Sequence, residues 1–237
     1  MPKCKSICHK YSKYDLLCLL DTHLDEKTEA NLTKFWKGEC RFAHNTSSIH
    51  TGGIALLFGQ NITPKILRRD VYGRYIFIEI NFQNKSFVLV FVYAPASSEK
   101  LRSDLFDLVR KELVQFSRND TKFIILGDFN CVESPSLDRS TGIPPKDNSF
   151  INLSQLCETF DLHDLWRERN PTLREFTFFP ENGNVSSRLD RIYTPTALST
   201  IFSKIEHKSC AFSDHSAKNP LGSSTSPYLR TKLLSER

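Results

Sequence analysis

The chain has 237 residues, 39% hydrophobic and 25% charged, with a formal net charge of +5. That length supports a sizeable packed core in one domain, and the small positive excess is only a mild bias toward a polyanion. No apolar run is long enough to cross a membrane, and Leu16–Leu20 is too short and too close to acids for a signal peptide. Seven scattered cysteines, an odd number, fit a reducing compartment better than a disulfide framework, so a soluble intracellular protein is expected. Cys4-x-x-x-Cys8-His9 faintly resembles a zinc half-site, but no second pair lies at zinc spacing.

In chain order, residues 1–13 are basic and read as the end of a helix. Leu16–Leu20 is a buried strand that delivers Asp21-Thr22-His23 at its end. Gly52-Gly53 is a turn feeding a strand over 54–58. The stretch 75–80 alternates and 86–93 is almost continuously apolar, so the two form a hairpin joined near Asn81 to Asn84 and closed by Ala94-Pro95. Ser97 or Ser98 can cap a helix whose Leu101, Leu105, Leu108, Val109, Leu113 and Phe116 form one apolar stripe.

The chain is organised around Ile124-Ile125-Leu126-Gly127-Asp128-Phe129-Asn130. A β-branched apolar run stopping at glycine reads as a buried strand. Alternation lets Asp128 and Asn130 point one way while Phe129 packs back. An acid that orients a water and an amide that holds an oxygen suit hydrolysis, although Gly, Asp and Asn are also ordinary turn residues. Residues 131–148 form a long surface loop, and 150–160 is helical. Asn170-Pro171 stops the segment holding Asp164-Leu165-Trp166-Arg167. Phe176-Thr177-Phe178-Phe179 is a strand, Asn182-Gly183 a tight turn, and 186–193 the returning strand. A helix is expected over 199–205, a loop at Ser213-Asp214-His215, and no clear strand beyond it. The whole suggests a β-sandwich flanked by helices.

Asp21, Tyr93, Asp128 with Asn130, Asp190, and Asp214 with His215 each sit at or just after an apolar strand. Strand ends gathered at one rim would crowd carboxylates, which calls for a cation or a hydrogen-bond network. Mg²⁺, held by one or two carboxylates plus substrate phosphate, is the natural ion. The alternatives are a surface pair of Asp190 with Arg188 or Arg191, and a plain loop histidine at 215.

The order LLDTHL at 19–24, VYAP at 92–95, LGDFN at 126–130, SRLDRIY at 187–193 and SDH at 213–215 resembles the endonuclease/exonuclease/phosphatase superfamily. Within it, the resemblance is to the apurinic-type endonuclease domains of LINE-type non-LTR retrotransposons. DLWR at 164–167 and FTFF at 176–179 fit that branch. The resemblance implies an α/β fold, a four-layer αββα DNase-I-like sandwich spanning 1–215, with 216–237 as a polar tail. It also implies Mg²⁺-dependent (or Mn²⁺-dependent) nicking of DNA by a monomeric nuclear enzyme.

By that resemblance Asp21 and Asp214 bind metal, and Tyr93 lies near the scissile phosphate. Asp128 activates the attacking water and Asn130 positions it. Asp190 orients His215, which stabilises the charged phosphate. Ser187 and Arg188 meet DNA. Three departures are visible. Leu20-Asp21-Thr22-His23 stands where the family has Gln-Glu-Thr-His, one methylene longer at the acid. No Asn lies in residues 1–20, so the family's first strand is missing. Ala217-Lys218-Asn219-Pro220 replaces its last strand. Impaired catalysis is therefore expected, and the alternatives are an inactive nucleic-acid-binding remnant, a superfamily phosphatase, or an unstable fragment.

Overall fold

The computed structural model describes residues 2–25, 28–48, 50–82, 85–118, 121–180, 183–201, 204–209, 216–221 and 231–235. The elements run α1 (Pro2–Lys10), β1 (Leu16–Leu20), α2 (Ala30–Thr33), β2 (Cys40–Ala43), β3 (Ile54–Phe58), β4 (Lys65–Arg69), β5 (Tyr75–Phe82) and β6 (Lys85–Tyr93). They continue with α3 (Glu99–Val114), β7 (Lys122–Asp128), α4 (Pro135–Asp138), α5 (Phe150–Thr159), β8 (Leu162–Asp164), α6 (Leu165–Arg169) and β9 (Asp190–Pro195). A 3₁₀ turn over Thr196–Ile201 leads to β10 (Lys204–Ser209), β11 (Ser216–Leu221) and β12 (Thr231–Ser235).

Among the described residues these strands form two six-stranded sheets, ordered β10-β11-β12-β1-β3-β2 and β4-β5-β6-β7-β9-β8. Strand alternation sorts the apolar side chains into three layers. Leu16, Cys18 and Leu20 of the first sheet meet Ile78, Phe91, Leu126 and Ile192 of the second in the central core. On the outer face of the first sheet, Leu17, Leu19 and Leu57 pack beneath Ile7 of α1 and Leu32 of α2. Outside the second sheet, Val90, Val92 and Ile125 pack beneath Phe106 and Val109 of α3 and Leu153 and Leu156 of α5. Helices thus cover both outer faces, as the four-layer αββα reading requires. Strands buried on both faces explain why Leu16–Leu20 and the end of β6 are continuously apolar. The stripe over 101–116 forms α3, and the Ser98 side chain caps it by accepting from the Leu101 N–H.

Four expectations change. Cys40–Ala43 and Lys65–Arg69 are strands that pattern reading passed over. The returning strand begins at Asp190 rather than 186, and Phe178 meets Ser187 only through an isolated bridge. The 199–205 helix gives way to a 3₁₀ turn and then β10. Finally, 216–237 is not simply a tail. Ser216–Leu221 pairs with β10, and Thr231–Ser235 runs parallel along β1. That pairing makes β1 an internal strand, flanked by β12 and β3, rather than a sheet edge left open by a missing first strand.

Candidate active site

β6 and β7 run parallel, so both end at the same edge of the second sheet, and antiparallel β9 begins there. The register pairs Tyr93 with Asp128 and Asp128 with Asp190. Three side chains well separated in the chain therefore stand in one row on neighbouring strands. Their parity is that of Phe91, Leu126 and Ile192, so the row faces the space between the sheets. Asp128 is 0% exposed, Asp190 1% and Tyr93 4%. Two adjacent carboxylates at such burial are costly when both are charged, which marks the row as chemically unusual.

Local geometry holds each member. A Cβ on Gly127 would stand 1.8 Å from the Val92 carbonyl oxygen, so only glycine lets β7 lie this close to β6. The Ala94 N–H donates to the Asp128 carbonyl at 2.8 Å. Asn130 adopts a left-handed φ of 48°. Its backbone N–H donates to Asp128 Oδ1 at 2.9 Å, and its Nδ2 donates to the Ala94 carbonyl at 2.7 Å. Phe129 turns to the helix side, against Phe106 and Tyr193. Thr177 Oγ1, fully buried, accepts from the backbone N–H groups of Leu189 and Asp190 at 2.9 and 3.1 Å and so pins the start of β9.

Asp21 reaches the same edge from the first sheet. The Gly53 N–H donates to the Gly73 carbonyl at 3.1 Å, and the Tyr93 N–H donates to the Arg74 carbonyl at 2.8 Å, so the turn after β1 is tied to the row. Asp21 itself has a left-handed φ of 54°. Its Oδ1 accepts from the Gly52 N–H at 2.8 Å and lies 3.1 Å from His23 Nε2. Across the core, burial and then the negative charge of Asp190 push the Cys18 thiol well above its ordinary value. Asp214 and His215 lie outside the described residues.

Among the described residues no group of three or more His, Cys, Asp or Glu side chains gathers closely enough to hold a metal ion. The donor chemistry at the rim nevertheless suits a hard cation. Asp128 and Asp190 are adjacent oxygen donors, and Mg²⁺ needs only one or two carboxylates beside water and phosphate.

Ser187 and Arg188, expected at the DNA, both lie buried. Arg188 is fully buried, with its Nε 2.7 Å from Asp138 Oδ1 and its Nη1 bonded to Asp164 Oδ2. A guanidinium with no exposed surface and two carboxylate partners anchors the fold. Ser187 is 8% exposed and bridges to Phe178 through backbone bonds. Arg191, also fully buried, lies 3.7 Å from carboxylate oxygens of Asp138, Asp164 and Glu133. Burial alone would raise the Asp138 carboxyl, but Arg191 and Arg188 outweigh it and hold it well below the usual range. Glu133 goes the other way, because burial prevails over the attraction of Arg191. Arg188 and Arg191 flank Asp190 in sequence, so this ionic platform sits directly beneath the row.

Sequence reasoning missed Thr177 and the platform acids. A lone threonine alternating with phenylalanines in FTFF was a usable sign of a buried hydrogen bond, and Asp164 before Leu165-Trp166-Arg167 carried a helix-cap signature that α6 uses. Nothing local marked Asp138. Two clefts of about 610 and 620 Å³ lie elsewhere, one beside α5 and α6 and one beside α1 and Trp36, and neither is lined by the row.

Two helix-flanked sheets meeting at an acid-bearing rim define the DNase-I-like class of αββα proteins. The solved structures agree on the fold. An AP endonuclease from Leishmania major aligns with a TM-score of 0.69 at 16% identity, covering 91% of this chain and 80% of that one. An AP endonuclease from Archaeoglobus fulgidus aligns at 0.67 and 16%, covering 87% and 88%. The endonuclease domain of TRAS1, a telomere-specific non-LTR retrotransposon, aligns at 0.64 and 13%, covering 91% and 88%. The model of the Endonuclease/Exonuclease/phosphatase family matches residues 5–215, and the chain belongs to that family. It is also 32% identical over 208 residues to the transposon TX1 uncharacterized 149 kDa protein of Xenopus laevis. That match covers 85% of this chain but 15% of the relative.

Proposed function

We propose that the chain is a divalent-metal-dependent DNA endonuclease of retrotransposon type, nicking one strand by phosphodiester hydrolysis. The observation that carries this reading is the buried row Tyr93–Asp128–Asp190, aligned by strand register at the sheet edge that Asp21 also reaches. Asp128 orients the attacking water, Asn130 fixes the Asp128 carboxylate through its backbone N–H, and Tyr93 borders the phosphate. When bound, Mg²⁺ or Mn²⁺ would supply charge stabilisation to the phosphate oxygens, and Asp21 and Asp214 would hold it beside the Asp128 and Asp190 carboxylates. Asp190 orients His215 toward the same phosphate. The relatives that support the reading are the TX1 transposon protein and the TRAS1 endonuclease domain. No helix among the described residues is long and apolar enough to cross a membrane. A nuclear, monomeric protein is the corresponding expectation, because the substrate is DNA.

A second reading, a nucleic-acid-binding protein without catalysis, is favoured by one observation. Asp21, shorter by a methylene than the acid of the family pattern, has one oxygen engaged by Gly52 and His23. A supercoiled plasmid decides between them. The nuclease converts it to open circles with Mg²⁺ or Mn²⁺, EDTA stops the reaction, and Asp128→Asn lowers the rate by at least about a hundredfold without unfolding the protein. Salt-sensitive plasmid binding with no nicking under either metal would leave the binding reading in its place.

A further inference from the structure

The row Tyr93–Asp128–Asp190 has a fourth member, a basic one, that the sequence motifs do not mark. Arg74 immediately precedes β5, where Tyr75 pairs with Val92. Its carbonyl accepts from the Tyr93 N–H, which places Arg74 opposite Tyr93. The register therefore continues as Arg74, Tyr93, Asp128, Asp190 across four neighbouring strands. The guanidinium carbon lies 4.9 Å from the centroid of the Tyr93 ring. The turn that delivers it is rigid. The Asp70 carboxylate accepts from the N–H groups of Tyr72, Arg74 and Tyr75, and Gly73 occupies a left-handed φ of 63°.

The difference between Arg74 and the chain's buried arginines decides what it does. Arg102 is neutralised by Asp147, and Arg188 by Asp138 and Asp164. Arg74 is half-buried, and it stacks on the Tyr93 ring and, against the rise that burial causes, draws down the neighbouring Asp70 carboxyl, whose oxygens are already taken by three backbone N–H groups. Stacking on a ring uses the face of the guanidinium and leaves its N–H edge available. That edge matches the paired oxygens of a phosphodiester. Tyr93 stands between Arg74 and Asp128 in the row, so the cation is not paired with the acids of the site.

We infer that Arg74 is a phosphate-gripping residue, which takes a non-bridging oxygen pair of the nucleic-acid backbone at the Tyr93 end of the site. The inference rests on the nuclease reading above and deepens it. It is tested by fluorescence anisotropy of a short labelled DNA duplex in EDTA, across a salt series, beside plasmid nicking with Mg²⁺. Arg74→Met keeps the packing on Tyr93 and removes the charge. It is expected to weaken binding about tenfold and to lower the slope of log affinity against log salt by about one. Arg74→Lys keeps the slope, and Lys100→Met, on the exposed face of α3, changes neither quantity.

Wild-type affinity and slope in folded Arg74→Met, while the wild type binds duplex, would overturn the assignment and leave the nuclease reading standing. A folded wild type that neither binds duplex nor nicks plasmid would remove both. Should Arg74→Met fail to fold, phenylglyoxal labelling of the unaltered chain gives the answer. Protection of Arg74 by duplex supports the assignment, and equal labelling with and without duplex overturns it.

Discussion

The two sheets bring their acids to one edge by different means. In the second sheet, Tyr93, Asp128 and Asp190 are held by ladder register, by Thr177, and by the buried platform of Arg188, Arg191, Asp138 and Asp164. In the first sheet, Asp21 hangs on a turn in which Asp21 and His23 have left-handed φ values of 54° and 52°, threaded between Gly52, Gly53 and Gly73. Register is fixed wherever a strand buries one face, because a slip by one residue would turn every core side chain outward. A turn has no such penalty, and its geometry depends on a few hydrogen bonds and on glycine. The second-sheet acids should therefore be hard to displace without unfolding the domain, and Asp21 should be the member that moves.

The largest effect is expected where the platform is broken. Arg188→Met leaves Asp138 and Asp164 buried beside fewer cations, and losing one partner of a buried ion pair costs about 3–5 kcal/mol. Urea unfolding measures it. A loss below about 1 kcal/mol, the level of an exposed pair, would mean that the platform is not what holds the row. Acid titration sharpens the same point with a smaller effect. The folded Asp138 carboxyl lies below its ordinary value, so its contribution is fully present above that unfolded value, about 3.9, and is lost as pH falls through the folded one. The stability gap between wild type and Asp138→Asn should persist at pH 5 and shrink only below about pH 4. Glu133, whose carboxyl is raised by burial, has the opposite sign and costs stability as pH rises through its window. A gap already closed at pH 5 would contradict the pairing.

The first-sheet corner is broken at Gly73. An added Cβ there would stand 2.5 Å from the Gly53 nitrogen, and the φ of 63° disfavours any other residue. Gly73→Ala should cost about 1–3 kcal/mol. It should lower nicking further than that loss of stability explains, because the Gly53–Gly73 bond links Asp21 to Tyr93. Nicking that falls only in step with the folded fraction would show that the linkage is unimportant.

How much of this was legible follows from how far each interaction reaches along the chain. Apolar runs ending in Asp21, Tyr93 and Asp128 were readable, because strands buried on both faces carry no alternation to confuse them. That Tyr93, Asp128 and Asp190 stand side by side was not, since register is set by the packing of whole sheets. Arg188 was misread for a related reason. The resemblance sets it at the DNA, whereas the partners that bury it, Asp138 and Asp164, lie 50 and 24 residues away in the chain. The strand over Lys65–Arg69 escaped because an edge strand with mostly exposed side chains has little apolar pattern. Ser216–Leu221, with Lys218 and Pro220, carries none of the usual strand composition.

Thr177 makes the most discriminating test. Its hydroxyl oxygen is the acceptor for two buried backbone N–H groups, those of Leu189 and Asp190. Thr177→Val keeps the shape of the side chain and strands both donors, at a cost of about 1–3 kcal/mol. Thr177→Ser keeps the acceptor and should lose only about 1 kcal/mol, mostly the packing of one methyl group. If the ladder with β7 alone positions Asp190, the valine variant, once corrected for its folded fraction, nicks as fast as wild type. If the threonine aims the carboxylate, the valine variant loses rate beyond its loss of stability and the serine variant recovers it. The second outcome is expected, because Asp190 is the first residue of its strand and only one side of it is held by the ladder until Thr177 takes its N–H.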